Sequence, residues 1–154
     1  IFYVICNEDK VACKYVLDWL AHMIQYPEVL PMAGIIIISE EGSGKGMMMR
    51  PYKSLLGDMY LHALRKVTTQ FNSKLFGKLF IFWDEGFAGT KEDTDSMKTM
   101  ITEDTMEMEK KHKDVIIAPH LGRVIIATNH DNILSIGKSS RRYLFLKIPL
   151  NHQF

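Results

Sequence analysis

The chain has 154 residues, about one domain's worth, and its 47% hydrophobic and 24% charged residues exclude a disordered polymer. No apolar run approaches the roughly 18 residues of a membrane span, and two cysteines, Cys6 and Cys13, are too few for a disulfide scaffold or a zinc site. The net charge of +1 hides an asymmetry: residues 91–109 carry two basic and seven acidic side chains, and residues 110–154 carry eight basic and two acidic. A polyanion is therefore expected along the last 45 residues. Reduced thiols and an intracellular compartment fit this cysteine usage, and a start at Ile1 without an initiator Met is expected of a segment excised from a longer protein.

Asp9 is placed to cap a helix whose apolar stripe is Val11, Tyr15, Val16, Trp19, Leu20 and Met23, closed by Pro27 and Pro31. Gly34 and the four isoleucines after it read as a strand buried on both faces, as in a parallel sheet covered by helices. Residues 39–46 form a turn, and helical spacing resumes over 47–56, with a kink or local break expected at Pro51. A weaker strand over 61–67 and a short turn or helix through Phe71 and Asn72 lead to a second buried strand over 79–83. A helix over 93–101 has Thr94 or Asp95 as alternative caps. Alternation in 105–109 and 115–118 predicts a β-hairpin with Lys110, Lys111, His112 and Lys113 at its tip. Buried strands follow over 123–127 and 143–148, so residues 1–154 read as one α/β domain with a mostly parallel sheet. The ten methionines, Trp19 and Trp83 read as core, and the acids from Asp93 to Glu109 as a solvated face. His22, His62, His120, His130 and His152 show no ligand spacing.

Chemistry concentrates at the ends of the buried strands. Gly42-Ser-Gly-Lys45 lies between a strand and a helix, where free N–H groups and the helix dipole make a seat for a triphosphate, and Lys45 adds a point charge for its outer oxygens. Ser39 stands where that motif has its first Gly, and Gly46 where a Ser or Thr hydroxyl binds Mg²⁺. A flexible turn before an ordinary helix is the plainer alternative. Asp84 and Glu85 end the second buried strand, one suited to hold Mg²⁺ through water and the next to polarise an attacking water. Asn129 ends a third strand, where a neutral amide can hold that water. Strands 35–38, 80–83 and 124–127 must lie side by side for Lys45, Asp84 and Asn129 to reach one phosphate. Arg141 and Arg142 precede the last strand and suit neutralisation of a transferred phosphoryl group from a neighbouring subunit, with a solvated pair as the alternative.

This combination resembles the superfamily 3 helicases, a viral, phage and plasmid branch of the AAA+ ATPases. The likeness is nearest to the helicase half of phage and plasmid primase-polymerases and of poxvirus-type primase-helicases. Trp19-Leu20-Ala21 and Pro31 precede the loop, and Glu41-Gly-Ser-Gly-Lys-Gly46, running into Met47, resembles their Walker A. Phe71-Asn72, then Gly77-Lys78-Leu79 and Asp84-Glu85, is similar to their approach to Walker B. Lys98, Ile101-Thr102-Glu103 and Glu109-Lys110 match the stretch before their hairpin, Asn129 their sensor 1, and Arg141-Arg142 their paired arginines. Some members of this branch also carry Gly after the Walker lysine.

The resemblance implies a three-layer P-loop NTPase fold (AAA+-like) with a five-stranded sheet, an N-terminal helix and a pre-sensor β-hairpin. It implies ATP with Mg²⁺ as cofactors, and Glu41, Gly42, Ser43, Gly44, Lys45, Gly46 and Met47 around the nucleotide. Hydrolysis would be at subunit interfaces of a homo-oligomer, a hexameric ring, that moves along single-stranded DNA during replication. The hairpin tip also resembles that of the papillomavirus replicative helicase, which makes Lys111 and His112 the implied DNA contacts; a cationic tip binds strand phosphates in any sequence. A primase-polymerase domain in the same full-length chain is the implied companion, and no membrane is. Two other readings share the motifs: a nucleotide-binding assembly module with little turnover, and an RNA-directed member of the superfamily.

Overall fold

The computed structural model describes residues 3–40, 42–64, 72–84, 90–108, 114–129 and 141–148. Asp9 opens helix α1 (Lys10–Gln25), its carboxylate accepting from the N–H groups of Val11 and Ala12 at 2.8 and 3.0 Å. Val16, Trp19, Leu20 and Met23 are buried as expected, but Tyr15 is exposed and Val11 is 80% exposed. The buried seam runs back through Ala12 and Cys13 instead. At 3.6 residues per turn Tyr15 stands about 100° round the helix from Val16.

Strand β1 (Gly34–Ile38) is buried at every residue. Helix α2 (Lys45–Leu56) runs through Pro51 as one helix, so the expected break is not there. Pro51 and Met47, whose carbonyl it cannot bond, are both exposed, which lets water take that bond. A 3-10 turn at Gly57–Met59 leads into β2 (Tyr60–Ala63), the beginning of the expected weak strand, whose last residues lie outside the described ones. Another 3-10 turn at Asn72–Leu75 precedes β3 (Phe80–Asp84).

Helix α3 (Lys91–Thr102) begins earlier than expected, because Thr90 is its cap rather than Thr94 or Asp95. Thr90 Oγ1 accepts from the Asp93 N–H and the Asp93 carboxylate from the Thr90 N–H, each at 3.2 Å, a reciprocal capping box. Asp93 is thereby fully buried and is no part of a solvated acidic face. Strands β4 (Thr105–Met108) and β5 (Ile116–Pro119) pair antiparallel as the arms of the expected hairpin. Strands β6 (Arg123–Thr128) and β7 (Tyr143–Lys147) complete the chain's regular elements among the described residues.

The main sheet has the order β2-β3-β6-β1-β7, and every neighbouring pair is parallel. Alternate residues of the central strands face opposite cores. Ile35, Ile37, Phe80, Phe82 and Ile125 pack with α1 and α2, whereas Ile36, Ile38, Ile81, Trp83 and Val124 pack with α3 and the hairpin. Burial on both faces is why these strands are apolar without alternation. Of the methionines, Met23, Met49, Met97, Met100 and Met108 are core, but Met32, Met47 and Met59 are exposed, contrary to their reading as filler.

Arg123 opens β6 as a buried guanidinium, 1% exposed. Its Nη1 donates to the carbonyls of Pro27 and Leu121 at 3.2 and 3.1 Å, and its Nη2 to those of Tyr26 and Val29, each at 2.6 Å. It thus ties the α1–β1 connection to the sheet. Burial lowers its pKa, and nearby Glu28 opposes that shift. Among the described residues no helix is long and apolar enough to cross a membrane.

Candidate functional site

The strand order β3-β6-β1 delivers the ends of three parallel strands to one edge of the sheet. Ile38 is in register with Thr128, and Asp84 with Ala127, so Ser39, Asn129 and Asp84 emerge at nearly one level. With strands about 4.8 Å apart, the loop after β1 and the carboxylate ending β3 are about 10 Å apart, separated by β6 alone. Ser39 is pinned there by its N–H, which donates to the Thr128 carbonyl at 3.0 Å.

The loop closes on itself. Gly42 and Gly44 have φ of 80° and 78°, in the left-handed region that favours glycine. Ser39 Oγ and Ser43 Oγ are 2.7 Å apart, and both side chains are buried. This contact gives Ser39 a place that a glycine would leave empty. Lys45, only 8% exposed, reaches back so that its Nζ donates to the Ser39 carbonyl at 3.0 Å. Gly44 and Lys45 start α2, so its first N–H groups face the loop. A Cβ added at Gly46 meets nothing within 4 Å, and Gly46 itself brings no hydroxyl.

A cavity of about 530 Å³ opens beside the loop, bordered by Gly42, Gly44, Gly46, Arg50, Lys53, Tyr60 and His62 among others. Arg50 and Lys53 were absent from the sequence reading, although Gly46, Arg50 and Lys53 recur at helical spacing on α2. A second, mainly apolar hollow of about 430 Å³ also borders the loop, at Ser43 and Gly44, with Val4, Ile5, Met48 and Tyr52 in its wall. Nothing in the sequence pattern marked Val4 or Ile5.

Asp84 is partly exposed, and its Oδ2 is 3.5 Å from His62 Nε2 on the neighbouring strand. The Tyr60 phenol is pushed up to about 12 by burial and by the Asp84 charge, so it stays protonated. No group of three His, Cys, Asp or Glu stands together among the described residues. A divalent cation at Asp84 would therefore take most of its other ligands from water and from bound phosphates, and the residues present fit a divalent cation held in that way.

Asn129 lies exposed at the same edge. Arg141 and Arg142 lie at the opposite edge: Tyr143 is in register with Gly34 at the start of β1, and the Gly34 N–H donates to the Arg142 carbonyl at 2.9 Å. Of the other expected site residues, Glu41, Glu85 and the hairpin tip Lys110, Lys111, His112 and Lys113 lie outside the described residues.

Comparison with known proteins agrees with the expected kinship. Over 144 residues, 88% of this chain, the sequence is 26% identical to the DNA primase-polymerase of Nitratiruptor phage NrS-1 and is homologous to it. The chain spans 20% of that relative's length. The apo C-terminal region of the NrS-1 protein has the same fold, with a TM-score of 0.84 at 22% identity over 96% of this chain and 36% of that one. A JCV helicase structure shares it more distantly, with a TM-score of 0.54 at 10% identity over 89% of this chain and 41% of that one. The model of a family of unknown function, DUF5906, matches residues 37–142, and the chain belongs to that family.

Proposed function

We propose that this chain is the ATP-driven motor core of a replication helicase, a P-loop NTPase of the superfamily 3 type. The observation that carries the reading is the convergence of the Lys45 loop, Asp84 and Asn129 on adjacent parallel strands at one sheet edge. In this reading the N–H groups from Gly42 to Gly46 and the Lys45 ammonium hold the phosphates. The ammonium leaves the Ser39 carbonyl for the outer phosphate oxygens, an exchange that a flexible lysine side chain makes readily. Asp84 would hold the cation, Glu85 would take the proton of the attacking water, and Asn129 would orient that water. The apolar hollow by Val4, Ile5 and Tyr52 suits the base. Arg142 or Arg141 reaches a neighbouring subunit's phosphates in a ring, and Lys111 and His112 on the hairpin tip contact single-stranded DNA.

The first test is ATP hydrolysis by the assembled protein, alone and with single-stranded DNA or RNA. Lys45→Ala is expected to lower turnover by about 10²-fold or more, as loss of a phosphate-clamping group does. Lys111→Ala combined with His112→Ala is expected to keep basal turnover and lose stimulation by DNA. Absence of hydrolysis in the wild type, with ATP bound, favours the second reading, an assembly module. Its support is Gly46, which offers no hydroxyl for the cation. Stronger stimulation by RNA than by DNA favours the RNA-directed member.

A further inference from the structure

The cation in the proposed site is one protein oxygen short, because the residue after Lys45 is Gly46. A side chain outside every motif stands beside Asp84, on the wall of the cavity that Gly46 also borders. His62 is the third residue of edge strand β2 and is in register with Phe82 of β3. Its imidazole lies against the buried Phe82 ring, centroids 5.2 Å apart and planes 32° apart, which limits its rotation. Asp84 is two residues further along β3, on the same face, and the diagonal across the strand pair brings His62 Nε2 within 3.5 Å of Asp84 Oδ2. Both side chains reach solvent, at 42% and 22% exposure, and His62 borders the same cavity as Gly46.

Two ligands of a six-coordinate ion, each about 2.1 Å from it and at right angles, are about 3 Å apart. The observed separation comes to that value with a small turn of either side chain. Imidazole is the commonest side-chain ligand for transition metals, and Mg²⁺ by contrast selects oxygen. We propose that His62 and Asp84 together hold the divalent cation that accompanies the nucleotide, and that this nitrogen ligand favours first-row transition ions such as Mn²⁺ over Mg²⁺. The inference rests on the nucleotide-binding reading above and adds to it the nature of the metal and one of its ligands.

The test is Mn²⁺ binding to the whole chain followed by electron paramagnetic resonance, with a non-hydrolysable ATP analogue present. Wild-type protein is expected to show coupling of the Mn²⁺ spin to an imidazole ¹⁴N. His62→Gln is expected to lose that coupling and to bind Mn²⁺ at least about tenfold more weakly, the loss typical even of an outer-sphere partner. Its Mg²⁺ affinity is expected to change little. Absence of nitrogen coupling in the wild type, with the analogue bound, overturns the assignment, as does coupling that persists in His62→Gln. Analogue binding is measured separately without metal, by fluorescence, against Lys45→Ala. If the wild type binds no better than that variant, the nucleotide reading fails and the metal assignment falls with it. If it binds and the nitrogen signal is missing, the His62 assignment alone fails.

Discussion

Gly46 is the residue at which the loop departs from what its chemistry asks for. It occupies the second position of α2, and a Cβ built there meets nothing within 4 Å. A serine therefore fits without moving the loop, and helix propensity favours it over glycine by about 0.5 kcal/mol. Gly46→Ser is expected to lower the Mg²⁺ concentration for half-maximal ATP hydrolysis, since its hydroxyl would add a fixed oxygen to the cation proposed at Asp84 and His62. A Mg²⁺ titration of turnover checks this, with thermal unfolding confirming that the variant is at least as stable. An unchanged titration would place the cation away from Gly46. Ser39 departs from the motif for a different reason that only the structure displays, its buried hydroxyl contact with Ser43.

At the scale of elements, the site edge is only as well placed as the strands that carry it, and Arg123 holds one of them from the far end. Its four bonded carbonyls belong to the α1–β1 connection and to the turn before β6. Removing the guanidinium leaves those acceptors without their donor, at about 1–3 kcal/mol for each one that water cannot reach. Tyr26 and Val29 are exposed, so water recovers part of this. Arg123→Met is expected to destabilise the domain by about 3 kcal/mol in urea unfolding. Arg123→Lys should recover only a fraction, because an ammonium cannot fork to four carbonyls. A loss below about 1 kcal/mol in the methionine variant would mean that the clamp adds little.

For the whole molecule, the decisive fact is that the paired arginines and the Lys45 loop sit at opposite edges of one sheet. Ser39 is level with Ile148, six residues beyond Arg142, so Arg142 starts about 20 Å from the level of Ser39. A guanidinium there does not reach its own loop's phosphates, so in the ring proposed above its role would be on those of the next subunit. Arg142→Ala is expected to bind ATP normally and fail to hydrolyse it. Mixing it with Glu85→Gln protein should restore part of the activity, at interfaces where an intact arginine meets an intact carboxylate. Mixtures that assemble without recovering turnover would argue against shared sites. Arg141 is the control: if it carries the role, only Arg141→Ala shows this pattern.

Much of this was legible locally. The Asp9 cap, the doubly buried strands, the loop from Gly42 to Gly46 and the carboxylate at Asp84 follow from turn chemistry and hydrophobic periodicity, which act over a few residues. The hairpin arms followed from alternation in the same way. Local signals are weakest where assignments compete: Thr90, Thr94 and Asp95 are all capping residues, and the choice falls to the reciprocal bond of Thr90 with buried Asp93. What sequence could not express is register between strands far apart in the chain. His62 and Asp84 are separated by 22 positions and meet only because β2 pairs with β3 in one particular alignment. Arg123 reaches carbonyls more than 90 positions away, and the arginines before β7 are carried to the far edge because β7 runs parallel to β1. Those placements depend on packing two cores at once, a property of the whole fold that no stretch of the chain contains.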